Sequence, residues 1–124
     1  MNVLVFASRK GGSGKSTLAA HLGAFASSNN NRRCLLIDAD PQGSLTLWHR
    51  LRGSGRPELR TAARGVGELV KAARREGYQW CFIDTPPNMA TIVGEAIRAA
   101  TLVLVPARPA VFDMMAGRLA PTGA

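Results

Sequence analysis

The segment Lys10-Gly11-Gly12-Ser13-Gly14-Lys15-Ser16-Thr17 leaves this chain few folds to choose from. Before it runs the stretch from Asn2 to Ala7, apolar without a break after Asn2, and after it Leu18, Ala19, Leu22, Phe25 and Ala26 recur at helical spacing. A strand, a glycine turn and a helix in that order aim the first amides of the helix, and the positive end of its dipole, at one point. Phosphate binds at such a point, because glycine lets the backbone approach it closely. Lys15 is placed to reach β- and γ-phosphate oxygens, and Ser16 to offer a hydroxyl to Mg2+. Gly11, Gly12, Ser13, Gly14 and Thr17 complete the expected binding loop. The bland alternative is a glycine-rich turn with a chance lysine. The strand before, the helix after and Gly-Lys-Ser in register all speak against it.

The same alternation continues along the chain. Cys34 to Ile37 predicts a second buried strand ending at Asp38, and Leu47, Trp48 and Leu51 mark one face of a short helix. Gly53 to Pro57 is a turn-rich break, and Leu59 to Ala62 a short strand. Val66, Leu69, Val70 and Ala73 predict a helix closed by Gly77, and Trp80 to Ile83 a strand ending at Asp84. Ile92, Val93, Ala96, Ile97 and Ala100 line a further helix before a last strand at Leu102 to Val105. Strands that alternate with helices imply right-handed βαβ units and a parallel sheet covered on both faces, an α/β fold. In open sheets of this kind ligands bind beyond the carboxyl ends of the strands, where the polar motifs fall. No repeat, linker or second domain is visible.

Two acidic motifs follow strand ends. In Asp38-Ala39-Asp40-Pro41-Gln42-Gly43, two carboxylates two residues apart can face one loop cavity near a metal or a water. By itself the motif is equally a turn with two capping aspartates. Asp84 ends the apolar strand Trp80 to Ile83, ahead of Thr85-Pro86-Pro87. A lone aspartate there is usually a helix cap or turn residue. Behind a phosphate loop and a double-aspartate loop, it becomes a candidate Mg2+ ligand, direct or through water.

The glycine loop departs from GxxxxGK[ST]: the first glycine would fall at Arg9, and a second lysine, Lys10, stands next to it. Without further context Lys10 reads as a solvated surface lysine. With it, the sequence resembles the ParA/MinD family of ATPases with a deviant phosphate loop. Asp38-Ala39-Asp40-Pro41-Gln42-Gly43, Asp84-Thr85-Pro86-Pro87, Gly43-Ser44-Leu45-Thr46-Leu47-Trp48 and the stretch from Val105 to Asp113 all resemble the small plasmid-type ParA proteins. The resemblance implies a P-loop NTPase-like parallel sheet, with ATP and Mg2+ as ligands. It implies that Asp40 orients the attacking water, that Ser16, Asp38 and Asp84 support Mg2+, and that Lys10 reaches across an ATP-dependent homodimer to the partner's nucleotide. Lys10, Lys15 and Asp40 are then the catalytic set. It further implies slow ATP hydrolysis driving plasmid or chromosome segregation, non-specific DNA binding by the dimer, and a centromere-binding partner protein that stimulates hydrolysis.

Within that superfamily the sequence favours partition. The MinD-type second motif lacks Asp-Pro-Gln, and no counterpart of the MinD membrane helix is seen, so no membrane partner is expected. Cys34 and Cys81 lie inside apolar runs, which suits buried small hydrophobes rather than cluster ligands, and Tyr78 is the only tyrosine. The resemblance covers residues 2 to about 117, but only about the first half of the family's usual length. An inactive truncated fragment of such an ATPase is therefore one alternative, and a MinD-like positioning ATPase another.

The net charge is +8, from 16 basic and 8 acidic residues, and three of the acids are Asp38, Asp40 and Asp84. The remaining surface is more basic than the total suggests, so an anionic partner, nucleic acid first, stands beside the plain reading of a soluble basic surface. Arg50, Arg52, Arg56, Arg60, Arg64, Lys71, Arg74 and Arg75 are the candidates for a basic face. No apolar run reaches the roughly 18 residues needed to span a bilayer. The start reads as a first strand rather than a signal peptide, so a cytoplasmic location is expected, nucleoid-associated if the chain binds DNA.

Overall fold

A computed structural model describes residues 1–8, 14–62, 65–87 and 89–106. Five strands, β1 (Asn2–Phe6), β2 (Cys34–Asp38), β3 (Glu58–Thr61), β4 (Trp80–Asp84) and β5 (Leu102–Leu104), form one sheet in the order β3-β2-β4-β1-β5. Every pairing is parallel. Helices α1 (Lys15–Ser27), α2 (Ser44–Arg52), α3 (Val66–Arg75) and α4 (Ala90–Ala99) make the connections. This is the expected α/β architecture, including the short strand β3.

Side chains alternate across a strand with period two, so each strand feeds two cores. Val3, Val5, Leu35, Ile37, Cys81 and Ile83 pack against α3 and α4 through Val66, Val70, Ala73, Ile92 and Ala96. Phe6, Leu36 and Phe82 face α1 and α2 through Ala19, Ala20, Ala26 and Leu45. The chain moves one way along the sheet through α1 and α2 and back through α3 and α4. Right-handed crossovers require that the two directions use opposite faces.

The helix faces are not all those predicted. Phe25 is 74% exposed, and α1 buries Ala19, Ala20, Gly23 and Ala26 instead. Small residues let α1 lie close to the sheet: a β-carbon on Gly23 would stand 2.5 Å from Leu36 Cδ2. Leu18 and Leu22 pack only at the flank, and Phe25 continues that flank into solvent. On α2 the buried anchor is Leu45, while Leu51 is 76% exposed and Leu47 about half. This helix covers the β3 side of the sheet, where only a narrow strip of it can be buried.

Both cysteines are buried free thiols, as expected. Burial pushes the Cys81 thiol from 9.0 up to about 12, against the lowering influence of Arg60 and Arg74. Burial also raises Cys34. A thiol reagent at mildly alkaline pH should therefore leave both unlabelled in the folded chain and modify both in denaturant. Because the fold holds Cys81 neutral, its contribution to stability is complete below 9.0 and is lost as pH rises toward about 12.

The seven of these cations that are described do not form one face. Arg50 and Arg52 belong to α2 and Arg74 and Arg75 to α3, on opposite sides of the sheet. Arg56 donates to the carbonyls of Ser27 (2.8 Å) and Arg32 (3.2 Å), holding the end of α1. Arg60 pairs with Glu76 at 2.6 Å and Lys71 with Glu68 at 3.5 Å. Arg64 lies outside the described residues.

Candidate functional site

The register brings the strand ends into one row: Thr61, Asp38, Asp84, Phe6 and Leu104 are successive partners across the sheet. Asp38 and Asp84 are direct neighbours in that row. They share the parity of Leu36 and Phe82, so both carboxylates emerge on the face covered by α1. The residues that begin α1 meet Asp84 there.

Gly14 enters α1 with φ +78, a backbone conformation that favours glycine. Among the described residues no side chain caps this helix, and its first turn holds no acid. Lys15, buried at 5% exposure, donates through Nζ to Asp84 Oδ1, and Ser16 Oγ donates to Asp84 Oδ2 at 2.5 Å. Asp84 is fully buried. Burial raises its carboxyl above the usual range, opposed by the hydrogen bonds from Lys15 and Ser16 and reinforced by Asp38. Thr85, next along, ties the same corner to β1 by donating Oγ1 to the Phe6 carbonyl at 2.7 Å.

Lys15 Nζ also stands 3.8 Å from Asp40 Oδ2. The other oxygen of Asp40 accepts the Gln42 amide at 3.0 Å, and its carbonyl accepts the Gly43 amide at 2.9 Å. The loop after β2 is thus a tight turn with one carboxylate oxygen directed toward the lysine. Asp38 behaves differently. Its Oδ1 accepts the Asp40 amide at 3.1 Å, and its Oδ2 accepts both the amide (2.9 Å) and the hydroxyl (2.6 Å) of Thr46. Beside the loop lies a cavity of about 490 Å3, lined by Asp40, Gln42, Thr46, Arg50 and Thr61 among others, but not by Lys15.

Five of the predicted site residues, Lys15, Ser16, Asp38, Asp40 and Asp84, therefore converge. Gly14 and Thr17 occupy the start of α1 with their exposed positions. Lys10, Gly11, Gly12 and Ser13 lie outside the described residues. Thr46 and Thr85 were not anticipated. A threonine in the first turn after a strand-end aspartate was the available signal for Thr46.

Among the described residues no group of three or more His, Cys, Asp and Glu side chains is arranged to hold a metal. The donors present are nevertheless of the right kind for Mg2+, which prefers one or two protein oxygens together with phosphate and water. The Ser16 hydroxyl and the Asp84 carboxylate already lie side by side.

A family model described as the CobQ/CobB/MinD/ParA nucleotide binding domain matches residues 4–103. The chain is 36% identical over 121 residues to Protein ParA of Rhizobium radiobacter, covering 94% of this chain and 53% of that one. It is 30% identical over 149 aligned positions to the chromosome-partitioning ATPase Soj of Thermus thermophilus, covering 94% and 59%. The structure of an ATP complex of a substituted McdA from Cyanothece superposes with a TM-score of 0.64 at 26% identity, covering 86% of this chain and 56% of that one. The chain thus spans little more than half the length of these relatives.

Proposed function

Because this chain belongs to the CobQ/CobB/MinD/ParA nucleotide-binding domain family, we propose that it is the nucleotide-binding part of a partition ATPase that binds and hydrolyses Mg-ATP. The observation that carries the proposal is the convergence of Lys15 and Ser16 on the buried carboxylate of Asp84, with Asp40 3.8 Å from the same lysine, at the end of the central strands and the start of α1. The name of the Soj relative includes ATPase activity and chromosome partitioning, and that of the McdA structure includes ATP.

In this proposal the triphosphate is bound by the uncapped amides of α1 and by Lys15, which exchanges Asp84 for phosphate oxygens. Ser16 and Asp84 are the residues that would hold Mg2+, whose role when bound is to neutralise phosphate charge. Asp40 holds the attacking water through Oδ2, the oxygen that faces Lys15 and is not taken by Gln42. Little covalent chemistry is asked of the protein, since phosphoryl transfer depends chiefly on positioning and charge stabilisation. Asp38, whose oxygens are already engaged by three donors, serves the loop rather than the metal. ATP-dependent pairing of two copies, action of Lys10 across that pair, non-specific DNA binding and stimulation by a centromere-binding protein complete the proposal. No described helix is long and apolar enough to cross a membrane.

Calorimetric titration with Mg-ATP tests it. Saturable binding is expected. A folded chain that takes up no nucleotide overturns the proposal.

A further inference from the structure

We infer that Thr46 is a positioning residue for Asp40, acting through the buried carboxylate of Asp38. The inference rests on the proposed ATPase function for its consequence in catalysis, but its geometry stands without it.

Three observations carry it. First, α2 starts at Gly43, which has φ +70 and offers no side-chain cap, and the first turn contains no acid. The amides of that turn need an acceptor, and that of Thr46, the third residue of the helix, finds it in Asp38 Oδ2. The cap of α2 thus comes from the end of β2, six residues before the helix begins. Second, the same carboxylate accepts the Asp40 amide through its other oxygen. One rigid group at the end of a central strand therefore holds both ends of the loop at 40–43. Third, Asp38 is only 3% exposed, so losing a donor costs more there than at an exposed carboxylate. Among the described residues the Thr46 hydroxyl is the one side-chain donor to this carboxylate, at a distance typical of a charge-assisted O–H···O bond.

The loop so held is the one that directs Asp40 Oδ2 toward Lys15, 3.8 Å away. If the hydroxyl is lost, the turn at Gln42 and Gly43 loosens and Asp40 spends less time aimed at the phosphate site. Ground-state binding through Lys15 and the α1 amides does not depend on this turn. The defect therefore falls on turnover rather than on nucleotide affinity.

The test compares Thr46→Val, which keeps the shape and removes the donor, with Thr46→Ser, which keeps the donor, in the full chain. The valine variant should bind Mg-ATP within about twofold of wild type and turn it over at least roughly tenfold more slowly at saturation. Its Gln42 and Gly43 amides should exchange with solvent about tenfold faster, with the β4 amides unchanged. The serine variant should restore both quantities. Unchanged exchange at Gln42 and Gly43 in the valine variant overturns the inference, as does a uniform rise across the sheet, which marks a merely structural role. If the wild type neither binds nor turns over Mg-ATP, the proposed function falls, and the exchange comparison still decides whether Thr46 holds the loop.

Discussion

Lys15→Ala should abolish measurable Mg-ATP binding, with a loss of at least about 100-fold in affinity, as expected when one partner of a desolvated charge pair is removed. Among the described residues Lys15 is the cation placed at both Asp84 and Asp40, so nothing nearby takes over its charge. The same substitution has a second, separable consequence. Asp84 is fully buried, and removing its partner leaves a charge whose isolation typically costs about 3–5 kcal/mol. Burial already raises the Asp84 carboxyl, and Lys15 is the main influence pulling it down. In the variant it rises further. A carboxyl raised by the fold adds stability below its unfolded value and loses that contribution as pH climbs through its folded value. The stability gap between wild type and Lys15→Ala should thus be widest at neutral pH and close on acidification. Calorimetry reads the first effect, and denaturant unfolding at a series of pH values reads the second. A variant that binds Mg-ATP normally removes Lys15 from the phosphate site.

A loss of stability of similar size should come from Phe82→Ala, about 3–5 kcal/mol. Phe82 is 2% exposed in the central strand β4, on the face beneath α1. Its ring lies between those of Phe6, 6.4 Å away, and Trp80, 6.1 Å away. Alanine removes this contact area and leaves a cavity that the neighbouring rings cannot fill without leaving their own rotamers. Against a usual total of about 5–15 kcal/mol, most of the margin would go. The urea midpoint should fall by about 2 M with an unchanged slope. Gly23 of α1 sits above this ring, so a β-carbon there would lie 3.7 Å from it. The seat of α1, and with it the placement of Lys15 and Ser16, depends on the same core. An unaffected midpoint would mean that the α1 face is not packed as described.

Local sequence signals marked most of the site because the chemistry is local. Lys15 and Ser16 follow a strand and a glycine turn, while Asp38, Asp40 and Asp84 follow apolar runs whose ends are unmistakable. The role of Asp38 was less legible. Two aspartates two apart can face a metal or cap a turn, and neither reading points to the hydroxyl eight residues away that donates to Asp38.

The helix faces were harder still. Phe25 fits the apolar spacing of α1, yet it is exposed. Periodicity says that a helix has a buried stripe. It does not say how closely the sheet approaches, and here Gly23, Ala19 and Ala20 set a short distance that leaves no place for a large ring.

The sequence by itself determined the elements, their alternation and the candidate residues that gather at the strand ends, since apolar period, glycine placement and strand-end acids are all encoded within a few neighbouring positions. Only the tertiary structure decided that β4 lies between β2 and β1, which seats Asp84 beside Asp38 and under Lys15. It also decided that the arginines of α2 and α3 stand on opposite faces, and that Thr46 closes on Asp38. These are pairings between distant parts of the chain, and they follow from strand order and crossover hand, which no local pattern contains.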